Sequence, residues 1–143
     1  MNKDTTELLR ECDAGTKTAA NSIKEILDNV QSRELMQLLQ NSLSEHQKIG
    51  DELHEILDKE GESGKEPNPV AKAMSWLKIN FKMLEKPNDK TIANLMFDGC
   101  SMGVKQLSEY LNEYSDAEDS AKSLAKKLIK EEEKLGKNLK TYL

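Results

Sequence analysis

A chain of 143 residues has the length of one ordinary domain, enough for a core without disulfides or a structural metal. Charged residues make up 33% and hydrophobic residues 36%, the mixture of helices with one buried stripe and a solvated back. The net charge of −5 argues against non-specific nucleic-acid binding, and no apolar run approaches the roughly 20 residues of a membrane span.

The opening MNKDTTELLR has no apolar signal core, so a cytoplasmic location is expected. Cys12 and Cys100 form no CxxC pattern and are expected to be reduced, buried thiols. A first helix is predicted from Asp4, with Glu7 at capping-box spacing. At 100° per residue Leu8, Cys12, Gly15, Ala19, Ile23, Ile26 and Val30 share its inner face. Polar residues Asp28 to Ser32 mark a turn. The second helix then runs to about Lys59, its stripe reading Leu35, Leu39, Leu43, His46, Gly50, Leu53, Leu57. So short a connection makes these two helices antiparallel neighbours.

Glu60–Pro69, with two glycines and two prolines, is the clearest loop. A short helix is predicted over Val70–Leu84, stopped near Pro87. Asp89 or Thr91 opens a third long helix with the stripe Ile92, Leu95, Met96, Gly99, Gly103, Leu107, Tyr110, Tyr114. The fourth begins near Asp116 and continues through Ala121, Ala125, Leu128, Glu132, Leu135 and Leu139. No segment alternates as a strand does. The expected architecture is a single all-α domain over residues 1–143. The second-to-third connection is long enough to cross the bundle and set those two helices parallel.

Four segments carry a family resemblance: SEHQKIGDELHEIL in the second helix, NPVAKAMSWLK in the short one, FDGCSMGVKQL in the third and KEEEKL in the fourth. With these the chain resembles a bacterial branch of the ferritin-like superfamily known only as a domain of unknown function. The resemblance implies a ferritin-like four-helix bundle with a helical crossover between the second and third helices. Di-iron members of that superfamily place a Glu on each of two helices and Glu-x-x-His on the other two. This sequence departs from the pattern. Lys48 stands three residues after Glu45, Ile49 three after His46, and the fourth helix has no histidine. Ferroxidase or oxygenase chemistry is therefore not inherited from the fold, and no cofactor is predicted.

Two polar residues nevertheless sit on apolar stripes. His46 is central on the second helix, at a level that pairing through the Val30 turn matches with Gly15, Gly103 and Ala125. It reads either as a core histidine bonded to backbone or as a ligand. Glu132 is central on the fourth, near the level of Gly99, where a carboxylate needs a partner or a proton. Helix register separates the two by roughly 9 Å along the axis, and a shift of several residues in the helix boundaries leaves direct contact open. As a metal pair, His46 and Glu132 would supply two ligands, below the usual three or four.

The predicted short helix is apolar on two sides. Val70, Met74, Leu77, Phe81 and Leu84 form one stripe, and Trp76, Ile79 and Met83 another nearly opposite. Trp and Met are common interface anchors, so the second stripe is a candidate dimer or protein-partner surface. The expected function is a non-enzymatic scaffold acting through self-association or protein partners. The alternative is a metal- or small-ligand-binding protein, redox-active or not, built on the polar core around His46 and Glu132.

Overall fold

The computed structural model describes residues 1–62, 64, 81, 84 and 87–143. These form four long helices, α1 (Lys3–Ile26), α2 (Arg33–Lys59), α3 (Asp89–Glu113) and α4 (Asp119–Leu139), with single 3-10 turns at Leu27–Asn29 and Lys140–Tyr142. Among the described residues there is no strand and no helix long and apolar enough to cross a membrane.

Three of the four helices, α1, α2 and α3, start where a short polar side chain satisfies free backbone donors, whereas α4 begins at Glu118 without a side-chain cap bond. Asn2 caps α1 by accepting from Thr5 N, so the cap lies two residues before the Asp4 expected from sequence. Asp4 instead accepts from the Asp116 amide, across the bundle end. Ser32 caps α2, and Asn88 and Thr91 make a capping box for α3. Asp89 reaches away from its own helix, and its two carboxylate oxygens accept from Gln31 N and Ser32 N, each at 2.8 Å. It thereby clips the start of α3 to the α1–α2 turn. Asp89→Ala is expected to lower stability by about 1–2 kcal/mol, the range for losing a cap, read from urea denaturation.

The core divides along the bundle. At one end Leu8 and Cys12 of α1 meet Ile49, Leu53 and Leu57 of α2, Leu107 of α3 and Ala121 to Leu128 of α4. At the other, Ile23 and Ile26 meet Leu35 and Leu39, Ile92 to Cys100, and Leu135 and Leu139. Helices α1 and α2 are thus antiparallel, as are α3 and α4. Helices α2 and α3 begin at the same end, so Lys59 and Asp89 lie at opposite ends. Phe81 packs against the cluster that contains Ile92. Trp76, Ile79 and Met83 lie outside the described residues.

Candidate functional site

Between the two apolar clusters sits a polar layer. His46 is completely buried, and its imidazole is held at both nitrogens. Nδ1 stands 2.8 Å from the Ser42 carbonyl one turn back, and Nε2 stands 2.6 Å from Glu132 Oε1. A carbonyl only accepts, so Nδ1 carries a proton. The Nε2–Oε1 contact then needs one more proton, resting on either atom. The pair is neutral overall in both forms, either imidazolium with carboxylate or imidazole with carboxylic acid. Burial pushes the His46 pKa down, but the Glu132 hydrogen bond and charge, the Ser42 carbonyl and the Glu131 charge outweigh it and leave it raised.

His46 and Glu132 are in direct contact, the closer of the two arrangements that helix register left open. The glycine levels shift as well. A β-carbon at Gly103 would stand 3.4 Å from Glu132 Oε2, and one at Gly15 would stand 3.6 Å from Leu128. Gly103, rather than Gly99, therefore lies against the Glu132 carboxylate.

Burial together with the nearby Glu132 carboxylate raises the pKa of the Cys100 thiol. Burial, with Glu11 and Asp13 adding to it, pushes Cys12 up to about 12. Neither is an activated nucleophile, because the thiolate is the reactive form.

The same donor set tests the fit of a di-iron centre. His46 has no lone pair left for a metal while both internal bonds stand. Glu132 is engaged by the imidazole, and Glu45 is half-buried and paired with Lys48 at the surface. Among the described residues no three His, Cys, Asp or Glu converge as metal ligands. The residues present do not fit that centre.

A cavity of about 90 Å³ lies between α1 and α3, with Glu132 in its wall. Small residues make it: Gly15, Thr18, Ala19 and Ser22 on α1 face Gly99 and Gly103 on α3. Gly99 is notable within a 25-residue helix, for a β-carbon there would meet nothing within 4 Å. Helix-interior glycine costs about 1 kcal/mol relative to alanine, yet no neighbour in the described fold requires it. At the far end of the cavity stand Glu11 and the Tyr110 hydroxyl, which accepts from Gln106 Nε2 at 3.1 Å. Burial and the Glu11 charge push Tyr110 up to about 12.

Sequence reasoning placed His46 and Glu132 inside but missed three other buried acids among the described residues, Glu11, Asp13 and Glu131. Glu11 and Asp13 lie off the apolar stripe, and Asp13–Lys17 has the i, i+4 spacing of an ordinary surface pair. Asp13 is in fact fully buried, bonded to Lys17 and to His54 of α2. The run of Gly15, Thr18, Ala19 and Ser22, paired with Gly99 and Gly103, was the one legible sign of the cavity.

No protein-family model matches the chain, nor does any curated protein or solved structure.

Proposed function

We propose that this protein is a non-enzymatic helical scaffold of ferritin-like, one-crossover type, acting by binding rather than by chemistry. The observation that carries the reading is the closed His46–Glu132 pair. Every imidazole nitrogen is engaged internally, so the most reactive-looking residues of the interior are used to hold α2 against α4. The opposite-end placement of Lys59 and Asp89 supports the one-crossover path. Self-association or a protein partner is the favoured mode, and the Trp76, Ile79 and Met83 stripe of the sequence supports it. A small-ligand mode is supported by the α1–α3 cavity.

Elemental analysis of protein purified from iron-replete cells, combined with its native mass, tests the reading. The expected result is no stoichiometric iron and a mass above that of one chain or a retained partner. A tightly held iron pair with oxygen consumption on addition of ferrous ion would overturn it in favour of an oxidoreductase.

A further inference from the structure

In sequence the lysines of α4 are interleaved with Glu131, Glu132 and Glu133, the pattern of a face that neutralises itself. The fold separates the two charges. Glu131 and Glu132 turn inward and are buried, and Glu132 is bonded to His46. Lys122, Lys126, Lys130, Lys134 and Lys137, with Lys140 in the turn beyond, fall within an arc of about 120° at helical spacing. Lys122 is half-buried and the others are exposed. Their backbone positions span about 27 Å along the axis. Among the described residues none of these six makes an ion pair; Lys127, at the edge of the stripe, does so with Glu52 of α2 at 2.8 Å. Glu133 lies on the stripe, exposed and paired with none of them. Lysines four residues apart repel one another and weaken a helix, and three such steps follow in succession from Lys122 to Lys134. No contact in the described fold offsets that repulsion. An anionic partner does.

The shape of the stripe selects the partner. It is one helix face wide, and Glu45 and Glu52 of α2 stand along one side of it. The whole chain carries −5, so the surface outside the stripe is more acidic still. A nucleic-acid duplex or a flat anionic membrane would press its phosphates against those acids as well as the lysines. A single acidic stretch of polypeptide lies along the lysines alone. We infer that the lysine face of α4 is the docking surface for a linear acidic segment of a partner protein, its carboxylates lying along Lys126 to Lys140. The inference rests on the protein-partner mode proposed above and names the chemistry of that partner. Attraction along the stripe is set against repulsion from the rest of the surface, so binding is confined to this face and weakens with salt.

The test uses the full chain and a fluorescein-labelled oligoglutamate of about ten residues, enough in extended form to span the stripe, read by fluorescence anisotropy. Saturable binding is expected at low ionic strength, weakening at least tenfold as salt rises from about 20 mM to about 200 mM. Changing Lys130→Glu and Lys134→Glu together should weaken it at least tenfold, with the helix confirmed by circular dichroism. Lys130→Arg with Lys134→Arg should bind within twofold of wild type. Lys3→Glu with Lys24→Glu, both exposed on α1, alters the net charge equally and should weaken binding less than threefold. An equal loss in the α1 variant would ascribe the effect to net charge and overturn the inference, as would undiminished binding by a folded Lys130→Glu, Lys134→Glu protein. Tighter binding of oligothymidylate or of phosphatidylserine vesicles would overturn it in favour of a nucleic acid or a membrane. Absence of oligoglutamate binding at low salt would overturn this inference alone. A stoichiometric iron pair would instead overturn the scaffold reading.

Discussion

Replacing Glu132 by alanine will destabilise the protein by about 3–5 kcal/mol, the range for removing one member of a buried charged pair. The effect is large because His46 is fully buried and its Nε2 has no alternative acceptor or donor in the described surroundings. Taking out both partners is a different experiment. A His46→Leu, Glu132→Leu variant removes the desolvation cost together with the bond, and apolar replacement of such pairs is often neutral or stabilising by ~1–4 kcal/mol. The expected order in urea denaturation is therefore the single variant far below wild type and the double variant close to or above it.

The pair also sets a pH dependence. His46 has a folded pKa above its usual value of 6.5. Its stabilising contribution is complete below that value and is lost as pH rises through the folded pKa. The stability difference between wild type and the double variant should therefore shift in the double variant's favour with rising pH.

Leu128→Ala is expected to cost about 2–5 kcal/mol, as truncation of a fully packed leucine does. Leu128 is nearly inaccessible, stands across from Gly15 and forms part of the cavity wall. The void it leaves would join the existing space of about 90 Å³ instead of forming an isolated hole. A merged cavity should approach the ~150 Å³ that admits benzene. Benzene is accordingly expected to raise the melting temperature of Leu128→Ala and leave that of wild type unchanged. A loss under about 1 kcal/mol with no benzene effect would mean that α1 and α3 close over the gap.

The long helices were legible because each repeats an apolar stripe at helical spacing over six or seven turns. Leu35, Leu39, Leu53 and Leu57 were all expected to be buried, and all are. Helix starts were less so. Asn2, Asp4, Asn88 and Asp89 are chemically similar candidate caps, and only tertiary contacts decide which of them reach across to another element. His46 and Glu132 were recognisable as polar residues on apolar stripes, but their meeting was not. It depends on how far α2 and α4 slide past one another, and an error of four residues displaces a side chain by about 6 Å. Glu11 and Asp13 were hidden for another reason. They lie beside the stripe on α1, at positions that close approach by neighbouring helices buries, and Gly50 of α2 permits such an approach, with Thr16 at 3.4 Å from its β-carbon position.

The central claim is that His46 is a closed structural element with a protonated Nδ1, and ¹⁵N NMR of its imidazole tests this most directly. Long-range ¹H–¹⁵N correlations should show a proton on Nδ1 throughout pH 5–8, with the ring signals unchanged when ferrous ion is added anaerobically. An Nδ1 with the shift of a free lone pair, or His46 signals lost at stoichiometric iron, would contradict the account.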